Sequence, residues 1–395
     1  MSTVAVPGFV EEIRAYGRFD TEGCLNCGSC TVVCALSNGH ASFPRKPIQQ
    51  ALLGLKRSVR GALEPWLCHD CGECATTCPR QTEPRESMMT LRRYLISQYD
   101  VTGISAHIFR SRIWEILALI VVAVFVFALV AVYHLYYVEM PVEDFATTPF
   151  GLEHMFPLIT YFTYAVFLLP LCVMAFNALR MFRWTMGGSS DLRIPFHFYL
   201  RDAGTFIAHL FSHRNLKRCS DDKKERRWIE HWLLGTGTVI MCIIVIFFLS
   251  WFQTDAFYPI EHPQRWLGYL ATAMMIAGPV HIIVSRVRRR GEHHKFSEVT
   301  DMVLPVMLLL VAVSGIAVHI FRYAGLELMC HYGYAVHLAI TVPLLLIELP
   351  FGKWSHVMYR PLALYLQAVK ERAIARAPVE EPLGEAVVLK GTQPT

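Results

Sequence analysis

Residues 113–133 read IWEILALIVVAVFVFALVAVY, a run in which Glu115 is the only charged residue. At 1.5 Å of rise per residue, the helix it predicts matches the roughly 30 Å hydrocarbon core of a bilayer. Outward from this run the pattern recurs at Met155–Ala178, Trp232–Phe252, Trp266–Ser285, Met302–Phe321 and His331–Phe351. A soluble domain can bury one such helix in its core; six in succession predict a membrane body. The composition agrees. Of 395 residues, 54% are hydrophobic and 17% charged, against about 45–50% and roughly 25% in soluble domains, and the mean hydropathy is +0.36. Glu115, one turn inside its span, is expected to snorkel to the interface.

The connecting segments set an orientation. His134–His154 holds no Lys or Arg and carries Glu139, Glu143, Asp144 and Glu153, whereas Leu179–Arg227 holds eleven basic residues. Only Arg265 lies between the third and fourth spans, and Arg286, Arg288, Arg289, Arg290 and Lys295 follow the fourth. Cytoplasmic loops carry the excess of Lys and Arg, so both termini are expected in the cytoplasm and the chain in the cytoplasmic membrane. Ile194–His213 is amphipathic and too polar to span, which predicts a helix lying along that interface. The segment after Ala377 is expected to be disordered. Met1–Asp20, with Glu11, Glu12 and Asp20, lacks the apolar core of a secretory leader. The expected layout is a head over 1–112, a membrane domain over 113–365 and a tail over 366–395.

The head is marked by cysteines, eight of the chain's twelve falling before residue 79. Cys24, Cys27, Cys30 and Cys34 are spaced C-x2-C-x2-C-x3-C, and Cys68, Cys71, Cys74 and Cys78 repeat the pattern 44 residues later. Three closely spaced thiolates reach three corners of one cubane, and the fourth of each run crosses to the other cluster. The expected sets are therefore Cys24, Cys27, Cys30 and Cys78 for one [4Fe–4S] cluster, and Cys68, Cys71, Cys74 and Cys34 for the second. Zinc prefers paired C-x2-C knuckles, and a cytoplasmic head disfavours disulfides. Between and after the runs, Pro47–Leu63 and Arg85–Gln98 read as helices. The fold class is all-α.

A redox head joined to a membrane body calls for a carrier inside the bilayer, and two neutral imidazoles holding haem b are the simplest one. Five histidines in or at the ends of spans could point inward. His231, His281 and His356 fall on the side of the head, and His319 and His337 near the outer face. Ionisable residues inside a bilayer are costly enough to mark function. His262 and His331 sit at outer edges, and His293 and His294 in a charged loop, so these four are set aside.

Resemblance to known families sharpens these expectations. The cysteine runs with their intervening helices resemble the all-helical ferredoxin module of the heterodisulfide reductase C subunits and of succinate dehydrogenase iron–sulfur subunits. The segment from His337 through LAITVPLLLIELPFGKWS to His356 resembles the last helix of the nitrate reductase gamma family of cytochromes b, whose two histidines hold two haems. Arg227–Trp232 (RWIEHW) resembles the partner helix of that family. The resemblance implies an inner haem on His231 and His356, with His281 as runner-up. It implies an outer haem on His337 with His319 or Met241, the last standing where that family carries a second histidine. His337 and His356 are nineteen residues apart, about 100° beyond five full turns, so a bend at Pro350–Gly352 is expected to bring them to one face. Head and body fused in this order are similar to the C subunits of quinone-interacting membrane-bound oxidoreductase (Qmo) complexes. That likeness implies menaquinone in the membrane, two flavin and iron–sulfur partner subunits in the cytoplasm, and adenylylsulfate reductase as electron partner.

Glu348 lies eight residues before His356, about 12 Å along a helix. It is expected either to relay protons released by quinol or to pair with the Arg286–Arg290 loop; a quinone near the outer face would use Glu327 or His331 instead. Gly187–Gly188 sits in a basic loop and opens no βαβ unit, so flavin must come from partners. Two other functions fit the same residues: a membrane component of a heterodisulfide-reductase-like or sulfite-reductase-linked complex, and a haem-free membrane anchor. A net charge of +5 is too small to suggest a nucleic-acid binder.

Overall fold

In the computed structural model, residues 4–37, 42–135, 152–187, 194–213, 222–252, 254, 256–289 and 300–376 are described. All regular structure among them is helical, as the hydropathy pattern predicts. The acidic residues Glu139, Glu143 and Asp144, much of the two basic loops and the segment after Arg376 lie outside the described residues.

The head is a set of short helices packed on one long one, α1 (Pro84–Tyr99). Met88, Leu91, Tyr94, Leu95 and Tyr99 of α1 are fully buried against Phe9, Ile13, Tyr16 and Trp66. Each such side chain contributes about 1.5–3 kcal/mol on leaving water. The two cysteine runs fold alike. Asn26 and Asp70 both take positive φ (55° and 57°), as do Gly28 and Gly72 (85° and 91°). The latter two open the one-turn helices Ser29–Val32 and Glu73–Thr76. An Asx-Cys-Gly-x-Cys segment thus traces the same path twice, since Asn, Asp and Gly tolerate the left-handed region best. The expected helix over 47–63 is instead two, Arg45–Leu52 and Lys56–Arg60. The break is at Gly54, whose φ is 69° and whose Cα faces the Val6 backbone too closely for a Cβ.

Among the described residues six helices are long and apolar enough to cross a membrane. They are α2 (Arg112–Tyr133), α3 (Leu152–Gly187), and, after the amphipathic helix α4 (Phe196–Ser212), α5 (Asp222–Phe247), α6 (Pro263–Val287), α7 (Thr300–Tyr323) and α8 (Glu327–Pro343), which runs on through Glu348. Val121, Val124 and Phe125 of α2 are exposed apolar side chains, the surface that lipid would cover. After α8 the chain forms one π-helical turn, Leu344–Glu348, then a bend, a 3-10 turn at Lys353–Ser355, and α9 (His356–Arg376). The bend expected at Pro350–Gly352 is present, and His356 heads a new helix rather than ending the sixth span.

Helix α9 ties the molecule together. It runs past residue 365, where the sequence suggested a tail, and buries Leu366, Val369 and Ala373. On one side it holds α4: Phe198 packs on Val369 and Ala373, and Arg372 donates to both carboxylate oxygens of Asp202 at 2.7 and 2.5 Å. On the other, Tyr359, Ala363 and Leu366 join the core of the head together with Met181 of α3. Head and body therefore share one hydrophobic core.

Candidate redox site

Cysteines of both runs come together in the head. Cys24, Cys27, Cys30 and Cys78 line one pocket with Arg45 and Thr82. The charges acting on Cys30 come from Cys24, Cys27 and Cys78, whereas those on Cys34 come first from Cys68 and Cys71 and then from Cys30. Cys68 and Cys74 are buried and Cys24 and Cys27 exposed, so one site is open and the other deep. Burial pushes the Cys34 thiol up to about 11, while hydrogen bonds from Ser29 lower Cys27. Donors reach the sulfurs at both sites: Ser29 Oγ stands 3.3 Å from Cys27 Sγ, and the Asp70 N–H donates to Cys68 Sγ at 3.4 Å. Among the described residues no three His, Cys, Asp or Glu side chains converge as ligands of one metal ion. Cubane corners stand farther apart than ligands of a single ion, so this donor set fits two [4Fe–4S] clusters.

The deep site touches the body. His69, between Cys68 and Cys71 and 5% exposed, accepts at Nδ1 from Arg360 Nη2 at 3.1 Å. Arg92 of α1 donates to the Cys68 carbonyl at 2.5 Å. Arg360 also lines a cavity of about 40 Å³ together with His209, His213, His231 and His356. The His231 and His356 ring centres are 6.1 Å apart; metal–imidazole bonds of about 2 Å put two rings on opposite sides of one ion at this spacing. His356 Nδ1 lies 2.6 Å from the Lys353 carbonyl. A carbonyl only accepts, so Nδ1 carries the proton and Nε2 keeps its lone pair, the usual arrangement of a metal-ligating histidine. Burial lowers both His356 and His213 to about 4, which keeps them neutral. The cavity as it stands admits an ion-sized group; a macrocycle requires its walls to part. His281 is not in it, being 2.7 Å from Glu230 Oε2. His209 and His213, one helical turn apart at the end of α4, belong to the cavity and were not among the sequence candidates; their i,i+4 spacing was the available signal.

A second cavity, about 370 Å³ and mostly apolar, runs inside the bundle from Arg265, Tyr269 and His319 to Trp354, past Met241 and His337. That volume lies in the roughly 300–1,000 Å³ range of cofactor sites. His337 Nδ1 is 2.9 Å from Ser314 Oγ. The hydroxyl also donates to the Val311 carbonyl, so it accepts from Nδ1 and leaves the lone pair on His337 Nε2. His319 Nε2 is already engaged, 2.7 Å from the Tyr269 hydroxyl. Met241 lines the same cavity. Glu327 and His331 line neither cavity.

Glu348 is 0% exposed and Glu115 2%, and each is the carboxyl that faces the other. Glu115 does not snorkel, because its helix turns it inward against the π-turn. Of the basic loop, Arg286 donates to the Asp301 carbonyl, and Arg290 lies outside the described residues. Beside the pair, Lys353 Nζ contacts Asp301 Oδ1 at 2.6 Å and Thr300 Oγ1 at 3.0 Å. An ion-pair chain continues from Asp301 through Arg93 and Glu86 to Arg85 and Asp70, with steps of 3.5, 3.7, 3.4 and 2.5 Å. Asp70 lies next to Cys71, so the chain leads from the carboxyl pair to the deep cysteine site.

Comparison with known proteins follows this division. The family model described as 4Fe-4S dicluster domain matches residues 20–82, and that described as citrate utilization protein B matches residues 179–378. The chain is 32% identical over 102 residues to a protein of Archaeoglobus profundus that is like the C subunits of heterodisulfide reductase, covering 26% of this chain and 54% of that protein. It is 36% identical over 93 residues to the C2 subunit of the H(2)/formate:CoB-CoM heterodisulfide,ferredoxin reductase of Methanococcus maripaludis, covering 22% and 50%. The chain thus spans about half the length of these curated relatives. No solved structure gives a significant match. A dicluster head related to the heterodisulfide reductase C subunits and six membrane-length helices in one chain describe an iron–sulfur electron-transfer protein with a helical membrane body.

Proposed function

The chain belongs to the citrate utilization protein B family, and from that premise we propose that it carries electrons between the membrane menaquinone pool and cytoplasmic flavin and iron–sulfur partner subunits. Adenylylsulfate reductase is the proposed terminal partner. Cys24, Cys27, Cys30 and Cys78 hold the open cluster, and Cys34, Cys68, Cys71 and Cys74 the deep one. His231 and His356 hold an inner haem b, and His337 with His319 or Met241 an outer one. These groups supply one-electron steps, into which the two electrons of a quinol must be divided while its two protons leave by side chains of the protein. The membrane is the cytoplasmic one, with head and termini on the cytoplasmic side.

The observation that carries this reading is the hydrogen bond from Arg360 to His69. One residue thereby belongs both to the loop of the deep cysteine site and to the wall of the histidine cavity. Ring spacing supports the inner haem, and cavity volume supports the outer one. The test is a reduced-minus-oxidised absorption spectrum of the purified chain, in which a b-type alpha band is expected. A spectrum without that band leaves the haem-free anchor as the function. Reduction of the clusters by a menaquinol analogue then tests the quinone link.

The family match favours a second terminus, a cytoplasmic enzyme of citrate utilization. The two are separated by reoxidation of the reduced chain. Adenylylsulfate reductase with its substrate accelerates it under the first reading, and a flavoprotein acting on a tricarboxylate does so under the second.

A further inference from the structure

The carboxyls of Glu115 and Glu348 meet where α2, the π-turn after α8 and the head converge. Neither belongs to an ion pair among the described residues, and both Glu348 carboxyl oxygens are buried, with the Glu115 carboxyl and the Lys353 backbone as the polar groups that reach them. The backbone is shaped around this group. The π-turn ends on Glu348, and a Cβ on Gly352 would strike its carboxyl. Among the described residues the charged groups nearest the pair are Lys353 and Asp301, with Arg286 and Arg93 on Asp301, and Glu86, Arg85 and Asp70 behind Arg93. Lys353 is the cation that acts on both Glu115 and Glu348, and its Nζ is already engaged by Asp301. Uncompensated charge in a low-dielectric interior is too costly to keep, so one proton must stay on the carboxyls. Asp301, Glu86 and Asp70 each contact a cation. The proton therefore belongs to the remaining two, since like carboxylates in contact do not both ionise.

The geometry points to Glu115 and Glu348 as a proton-binding site that holds one proton between two carboxyls and exchanges it with water on the side of the head. Lys353 and Asp301, with side chains 19% and 16% exposed, stand between the pair and that water. The assignment makes Glu115 an equal partner of Glu348, and its use in turnover rests on the reading that this chain handles quinol. A quinol oxidised in the bundle gives two electrons to the carriers and two protons to the protein, and the carboxyl pair takes up protons near the head.

The test is infrared spectroscopy of the purified full chain in H₂O and D₂O, with no quinone present. Wild type is expected to show the carbonyl band of a buried protonated carboxylic acid, displaced in D₂O. Glu115→Gln and Glu348→Gln each leave a single carboxyl beside Lys353, able to ionise, so the band should vanish in both. Lys353→Met removes the cation that acts on both carboxyls, so the second is expected to stay protonated too and the band to double, which a merely structural pair would not do. Absence of the band in wild type, or its survival in either Gln variant, overturns the assignment. Turnover with a menaquinol analogue is measured separately. Wild-type turnover in Glu348→Gln, with the band lost as expected, sinks the relay in the quinone reading and leaves the proton site standing.

Discussion

Tyr359 is the side chain on which docking of the head to the body depends most heavily. It is 0% exposed, and its ring lies 5.1 Å from Trp66 and 5.3 Å from Tyr99. Trp66 and Tyr99 belong to the head and Tyr359 to α9, three residues past His356. Tyr359→Ala removes a fully buried ring at a cost of about 3–5 kcal/mol, part of it lost aromatic pairing. The bend before α9 and the short head helices limit how far the hole can collapse, so the full range applies. At about 1.4 kcal/mol per factor of ten, local opening at the joint becomes about 10²–10³-fold more populated. Amide exchange reads this directly. The inner amides of α1 and those of Glu64–Leu67 should exchange faster by that factor, while α6 and α7, which do not touch this core, stay as protected as before. Electron transfer from the deep cysteine site to the histidine cavity should slow with it, since Arg360 follows Tyr359 in the chain. An increase below tenfold in α1, or one confined to α9, would refute the single shared core.

Three further outcomes are expected. Cys34→Ser should damage the cluster of the second run and Cys78→Ser that of the first, read from separately resolved cluster signals; loss of the same-run cluster in both variants overturns the crossed sets. His356→Ala should remove the inner haem and leave the outer spectrum, and unchanged haem in both His356→Ala and His231→Ala sinks the inner site. Arg372 donates to Asp202 and holds its carboxyl below the usual carboxylate range against the effect of burial. The pair's stabilisation is therefore present above the ordinary value of 3.8 and lost as pH falls through the lowered one. Acid should free α4 from α9, and Asp202→Asn should do the same at neutral pH, both visible as faster proteolysis within Phe196–Ser212.

What the sequence revealed, and what it hid, follows from how far apart interacting residues lie. Cysteine spacing is local, so two cluster sites were legible from eight residues. The spans were legible because a bilayer imposes length and apolarity on each helix alone. Helix ends were harder. Gly54 divides a predicted helix because its backbone meets Val6, a contact that periodicity does not encode. The pairings that join head to body are nonlocal: Arg360 and His69 are 291 positions apart, and Lys353 and Asp301 are 52 apart. Glu115 was misplaced for the same reason. A carboxyl one turn inside a span snorkels unless something polar faces it from another helix, and here Glu348 does.

The break after the sixth span is where these features meet. Irregular backbone at membrane depth is tolerated only when protein or a cavity covers it, and a straight continuation of α8 would avoid the difficulty. The chain instead places Pro343 before a π-turn, then Pro350, Gly352 and a 3-10 turn, all within thirteen residues. Each departure presents a particular group. The π-turn delivers the Glu348 carboxyl to Glu115, Gly352 leaves it room, and the bend carries Lys353 to Asp301. The 3-10 turn supplies the Lys353 carbonyl that fixes the proton on His356 Nδ1. A straight helix would put His356 about 100° away from His337 and would deny α9 its approach to the head. The interruption thus lets one short segment address the carboxyl pair, the histidine cavity and the deep cysteine site together. Restoring regular helix there, as Gly352→Ala and Pro350→Ala would tend to do, should disturb all three at once, an outcome that no single-site explanation of the break accommodates.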